Sequence, residues 1–312
     1  MMRVLVWHVH GSYLTSLVQG PHTYLVPVLP DRGPDGRGRA LTYEWPGSAL
    51  ELAPEELAGA EVDVVVLQRP EEEELATRWL GGRRPGRDLP AVYLEHNAPQ
   101  GRINEMRHPA ADRPDLTLVH VTHFNALFWD AGGTPTRVIE HGIVDPGPRY
   151  TGELARAAVV VNEPVRRARV TGTDLLPALS EPMPVDLFGI DAEELGGIGD
   201  VPQARLHDEM ARRRVYLHPI RWTSLGLSLI EAMHLGMPVV ALDTTETGEA
   251  VPPAAGVVSN RPGVLRSALA ELAEDPGLAR RMGAGAREAA LERFGLGRFL
   301  DDWNALLEEV TR

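Results

Sequence analysis

At 312 residues the chain is long for one domain and comfortable for two, each able to bury its own core. A formal net charge of −13 disfavours nucleic acid as a partner and gives no general attraction to anionic membranes. The sequence contains neither cysteine nor lysine, which excludes disulfides, thiol chemistry, zinc knuckles and any lysine nucleophile.

The opening Met-Met-Arg-Val-Leu-Val-Trp run is too short for a signal peptide, and no other stretch approaches a membrane span. The expectation is a cytoplasmic protein without stable membrane insertion. Short β-rich runs then alternate with amphipathic segments, the pattern of parallel α/β sheets. The first half predicts strands at Arg3–Trp7, Thr23–Val28, Val62–Leu67, Ala91–Leu94, Leu116–Val121 and Thr136–Ile139, with little helix after the first. Pro30–Arg39, rich in Gly, Pro and charge, reads as an exposed loop. Pro70-Glu71-Glu72-Glu73-Glu74 reads as a helix start, with proline at the entrance and acids complementing the dipole. A boundary is expected near Asp145–Tyr150, where Pro-Gly-Pro follows the last strand. A second set of strands is predicted at Ala157–Val161, Val185–Phe188, Val215–Leu217, Val239–Leu242 and Gly256–Val258. Helices follow at Gly263–Leu272, Pro276–Arg293 and Leu296–Val310.

The most informative stretch is Pro219–Ala241, which runs from a loop into an apolar helix, turns at Gly236 and re-enters a buried strand. Leu227, Ile230, Ala232, Met233 and Leu235 cover nearly every side of that helix, and Glu231 is the charge in its middle. An unpaired buried carboxylate costs several kcal/mol, so Glu231 is expected to have a polar partner. Ahead of it, Ser224-Leu225-Gly226-Leu227 places a glycine at the helix N-terminus, where free N–H groups and the dipole suit an anion. A buried carboxylate beyond such a start suits a nucleotide, with phosphate at the tip and ribose hydroxyls on Glu231.

This stretch resembles the donor-binding motif of retaining glycosyltransferases of the GT-B type, the group 1 or family 4 enzymes. Their pattern has a Glu, a Phe-Gly-Leu turn and a second Glu eight positions after the first; here Leu225-Gly226-Leu227 is the turn and Glu231 the second acid, but Thr223 replaces the first. The resemblance implies an α/β fold of two Rossmann-like domains facing across a cleft: residues 1–147 on the acceptor side, 148–294 for the donor, and a C-terminal helix, 295–312, crossing back. It also implies a metal-independent sugar transfer from a nucleoside-diphosphate sugar, with retention and no further cofactor, to a sugar, lipid-linked or natural-product acceptor. The ribose contact carries over to Glu231, whereas the sugar contact loses its carboxylate at Thr223.

In the family a loop Arg and a Lys just before a Gly clamp the diphosphate. Setting Gly172 on that glycine puts Arg166 on the Arg and Thr171 on the Lys, with Arg167 and Arg169 as substitutes for the missing cation. Thr171, Gly172 and Thr173 are also expected to place hydroxyls and free N–H groups at a helix start. Leu89–Asn97 resembles the family's strand-then-His segment, which makes His96 the candidate catalytic histidine beside the donor sugar. Gly11 and Ser12 occupy the place of the glycine-rich turn after the first strand. His8 and His10 are on one face if the strand continues, and His120 and His123 have the spacing of metal ligands, but no acidic or Cys partner stands close by. In Glu140–Asp145, similar to the interdomain hinge, Gly142 permits an unusual backbone angle. Glu246 or Glu249, after the key motif, is the candidate to supply the sugar contact that Thr223 cannot.

Two other readings stay open. One is a non-catalytic nucleotide-sugar-binding or partner subunit, the other a sugar-nucleotide epimerase or hydrolase on the same scaffold.

Overall fold

The computed structural model describes all 312 residues, Met1–Arg312, in two units: Met1–Val144 with Leu296–Arg312, and Asp145–Gly295. The first unit is built on seven parallel strands: β1 (Arg3–Val6), β2 (Thr23–Pro27), β3 (Ala49–Leu52), β4 (Val64–Leu67), β5 (Ala91–Glu95), β6 (Thr117–His120) and β7 (Thr136–Val138). Their order is β3-β2-β1-β4-β5-β6-β7, so the chain first builds outward from β1 and then crosses it to build the other half. β4, and β1 after its exposed Arg3, are unbroken apolar runs because both faces of a parallel sheet are covered. Val4 pairs with Tyr24 on one side and Val64 on the other. The helices are α1 (Gly11–Leu17), α2 (Pro54–Leu57), α3 (Glu71–Trp79) and α4 (His123–Phe128). Leu5, Trp7, Leu67, Leu75 and Leu118 are at the centre of one core cluster.

Two features of this unit depart from the sequence expectation. β3 falls where no strand is predicted. α1 follows the first strand directly, although little helix is expected there. The Pro30–Arg39 loop is largely exposed, as expected, and is pinned at two points: Trp7 Nε1 donates to the Asp35 carbonyl at 3.0 Å, and His8 Nδ1 lies 2.9 Å from the Gly38 carbonyl. The acid-rich start of α3 behaves as expected, and one of its acids does more. Glu72 is fully buried and accepts the backbone N–H groups of Gln68 (2.7 Å) and Arg69 (3.3 Å).

The second unit has five parallel strands, β8 (Leu154–Val160), β9 (Val185–Phe188), β10 (Arg213–His218), β11 (Val239–Ala241) and β12 (Gly256–Val258), ordered β12-β11-β10-β8-β9. Its helices are α5 (Ala168–Thr171), α6 (Leu176–Leu179), α7 (Gln203–Arg212), α8 (Leu227–Leu235), α9 (Thr247–Ala250), α10 (Pro262–Glu274) and α11 (Pro276–Arg293). Val159, Leu217, Val240, Leu265 and Leu269 are among its core residues. Gly236 closes α8 in the left-handed conformation (φ 87°), which favours glycine. Between the units the left-handed glycine is Gly147 (φ 83°) and not Gly142, which keeps an ordinary backbone angle.

The last helix, α12 (Leu296–Val310), belongs to the first unit. Its buried face is Phe299, Trp303, Leu306 and Leu307. The Trp303 indole donates to the Tyr13 hydroxyl at 3.0 Å, and Arg298 donates to the carbonyls of Glu140 (3.0 Å) and His141 (2.6 Å).

Candidate functional site

In the second unit, β10 is buried along its whole length and delivers the chain at His218 to the loop before α8. Gly226 is the residue capping α8, and a Cβ there would lie 2.8 Å from His218 Cε1. The turn Leu225-Gly226-Leu227 therefore packs directly on an imidazole. Burial pushes the His218 pKa down to about 4, so the ring is neutral, and its Nε2 is buried without a hydrogen-bond partner. Within the helix, Leu229 and Ile230 both donate to the Gly226 carbonyl, which leaves the N–H groups of Leu227 and Ser228 outside the helical ladder. These are the donors a helix start offers an anion.

Glu231 is buried on the first turns of α8 and has the expected polar partners. Its Oε1 accepts from the Gln203 amide at 2.8 Å, and its Oε2 lies 3.4 Å from His207 Nε2. Both partners come from α7, and neither is singled out by sequence reasoning. The signal was a polar pair four residues apart on an amphipathic helix, but nothing in the sequence says what that face meets.

The arginine loop is stitched to the loop before α8. The N–H groups of Arg221 and Trp222 donate to the Val170 carbonyl at 2.8 and 3.4 Å. Gly172 is left-handed (φ 74°), and a Cβ there would sit 1.7 Å from the Pro219 carbonyl oxygen. The structure thus brings the two anion-suited segments together. Arg166 is largely exposed and donates through Nε to Glu163 at 2.6 Å, and the Glu163 bond raises its pKa further. Arg169 and Arg221 share Asp174, which both hold below the usual carboxylate range, Arg221 first. Arg167 is half-buried beside them at the start of α5.

Thr171 is at the end of α5, not the start of a helix. Its hydroxyl donates to the Arg167 carbonyl at 3.1 Å, and that of Thr173 donates to the Pro164 carbonyl at 2.5 Å. The N–H groups of Thr171 and Gly172 close the same turn, on Arg167 and Ala168, both at 2.8 Å. Both hydroxyls and the N–H groups of Thr171 and Gly172 are therefore used internally, while Gly172 caps the 3-10 helix Thr173–Leu175, which leaves the Thr173 N–H at a helix start as expected. Thr223 is half-buried in the loop. Glu246 is buried and ion-paired with Arg293 of α11 at 3.1 Å, whereas Glu249 is exposed on α9.

In the first unit, His96 is the residue after β5, at the carboxyl end of the sheet where ligands of open α/β sheets bind. Its Nε2 lies 2.8 Å from Gln68 Oε1, and Gln68 Nε2 donates to the Trp7 carbonyl at 2.7 Å. Since a carbonyl only accepts, the amide orientation follows, and His96 carries its proton on Nε2. Burial first, then the neighbouring His10 and His141, hold its pKa well below the usual imidazole value. The His10 ring is 4.2 Å from that of His96, and Tyr13 meets His96 edge-on at 4.6 Å. Gln68 is a third residue that sequence reasoning misses. Gly11 and Ser12 open α1, but Tyr43 covers them: its hydroxyl is 2.8 Å from Ser12 Oγ, and its ring is 3.1 Å from where a Gly11 Cβ would stand. His8 and His120 face a carbonyl and a protein interior respectively, and His123 opens α4.

Residues 193–289 match the family model for Glycosyl transferases group 1. Among solved structures, Anabaena HepE in complex with UDP and glucose is 14% identical, with a TM-score of 0.72 over 99% of this chain and 100% of that one. Sucrose-phosphate synthase from Thermosynechococcus elongatus is 15% identical, with a TM-score of 0.71 over 99% of both chains. A glycosyltransferase from Rickettsia africae ESF-5 is 13% identical, with a TM-score of 0.70 over 100% of this chain and 99% of that one. No curated protein matches the sequence. The second unit is thus similar over residues 193–289 to glycosyl transferases group 1, and the chain has the two-sheet Rossmann-like α/β fold of GT-B glycosyltransferase structures.

Proposed function

We propose that this protein transfers a sugar from a nucleoside-diphosphate sugar to an acceptor with retention of anomeric configuration. The observation that carries the reading is the juxtaposition in the second unit: a buried carboxylate, an open helix start and an arginine loop stitched to it, with Glu231 and the helix start inside the matched domain. Glu231 accepts from the ribose hydroxyls. The first-turn N–H groups of α8, with Arg166, Arg167 and Arg169, meet the diphosphate. Charge grows on the diphosphate as the glycosidic bond breaks, so these donors act most strongly in the transition state. The departing phosphate then takes the acceptor's proton on the face it leaves, which gives retention. His96, neutral and fixed by Gln68, is the candidate catalytic histidine of the first unit.

The test is a thermal-shift screen of UDP, GDP, ADP and their sugars, with Glu231→Ala as control. A ligand at a hundred times its dissociation constant stabilises the fold by about 2.7 kcal/mol. A shift abolished by Glu231→Ala supports the donor site, and the product's anomeric proton coupling then decides retention; an inverted product overturns it. The internal engagement of Thr171 and the ion-paired arginines favour one rival, a nucleotide-sugar-binding subunit without transfer. Ligand-dependent stabilisation with no sugar transferred or released would establish that rival.

A further inference from the structure

Glu231 points toward α7, and both of its oxygens approach that helix. Gln203 and His207 are four residues apart and so share one face. Besides reaching Glu231, they touch each other, with Gln203 Nε2 at 2.9 Å from His207 Nε2. Counting donors and acceptors fixes the protons. The Gln203 amide nitrogen must face Glu231 Oε1, since two bare oxygens would otherwise meet at 2.8 Å. That nitrogen only donates, so His207 Nε2 is the acceptor and the imidazole proton is on Nδ1. One amide hydrogen goes to Glu231 and the other to His207. Glu231 Oε2 then faces an unprotonated nitrogen at 3.4 Å and receives nothing from α7.

We propose that Gln203 and His207 are positioning residues of the nucleotide site, and that a proton on His207 competes with the ribose for Glu231. The proposal rests on the reading of Glu231 as the ribose acceptor. Gln203 holds the carboxylate by one oxygen and leaves the other for a hydroxyl donor. A second proton on His207 reverses this, because Nε2–H then donates to Oε2 and displaces the Gln203 amide. A ligand that needs Oε2 excludes that proton, so binding and protonation oppose each other through linkage. The other titratable groups here are Tyr216 of β10, whose hydroxyl is 2.8 Å from Ser228 Oγ, and His234 of α8, which faces the Ile230 carbonyl at 2.9 Å. Neither reaches Oε2 with a donor.

The experiment compares dissociation constants for UDP and 2′,3′-dideoxy-UDP at about pH 8 and about pH 5.5, a span in which histidines change charge. Both ligands carry the same phosphates, so their ratio reads the ribose contact alone. Wild type should prefer UDP by about tenfold at the higher pH, the size of a hydrogen bond to a charged group, and lose the preference at the lower. In His207→Leu, which carries no donor for Oε2, the preference should no longer change with pH, and Gln203→Ala should reduce it at the higher pH. A wild-type preference that ignores pH, or one unchanged by Gln203→Ala, overturns the proposal. A ratio of one at the higher pH instead removes Glu231 from the ribose, and failure of UDP, GDP and ADP alike to bind removes the nucleotide reading itself.

Discussion

At Gly172 two loops meet with no room for a side chain. Its positive φ and the Pro219 carbonyl, 1.7 Å from an added Cβ, both exclude alanine. Gly172→Ala should lower stability by about 1 to 3 kcal/mol in urea titrations and weaken nucleotide binding as the loops part. Unchanged stability would mean that the loops separate freely. Arg166 presents the opposite case, since it is exposed and its Glu163 partner is a neighbour in sequence. Arg166→Ala should leave the melting temperature where it is and lower turnover at saturating donor on the order of a hundredfold. Weakened binding with full turnover would contradict a role in the transition state. Glu246 shows what a charge near the right motif leaves unsaid: only the fold reveals that Arg293, far along the chain, pairs with it.

At the scale of elements, much of the first unit rests on α12. Trp303 is buried against Tyr13, whose ring also meets Phe299 edge-on at 5.3 Å and His96 at 4.6 Å. Trp303→Ala should destabilise this unit by about 3 to 5 kcal/mol, visible as an earlier first transition in chemical denaturation. A single transition with an unshifted midpoint would show that α12 contributes little. This helix was legible in the sequence, as were the apolar strands and Glu231, because each leaves a local mark: a period, an unbroken run, a lone charge among leucines. β3 leaves none, being a four-residue edge strand with Leu50 exposed and Glu51 in the middle, set among Pro- and Gly-rich loops. The Gln203–His207 face was illegible for another reason, since the meaning of a polar pair lies in the carboxylate that packing brings to it.

For the whole molecule, buried histidines contribute one strong part of the response to acid. Burial, first among the causes, lowers His120 to about 4, His141 to about 3 and His218 to about 4, and takes His96 well below its usual value. Each is depressed in the folded state, so between the folded and unfolded pKa values the unfolded chain binds more protons. Their contribution to stability is fully present above the unfolded value, about 6.5, and is lost as pH falls toward 4. Each histidine in that window removes roughly 1.4 kcal/mol per pH unit. Unfolding free energies measured from pH 7 to 4.5 should therefore fall steeply, and a flat profile would mean that these rings are hydrated.

The return of α12 also sets the order in which the protein can be completed during synthesis. Asp145–Gly295 is continuous, so the second unit has all of its elements once Gly295 has been added. The first unit is begun earlier and finished later. Tyr13 and Phe299 are partners at opposite ends of the chain, and the surface that α12 covers stays open while the whole second unit is translated. A nascent chain stalled before Leu296 would thus carry one finished unit and one with an uncovered apolar seam, the seam a chaperone would meet.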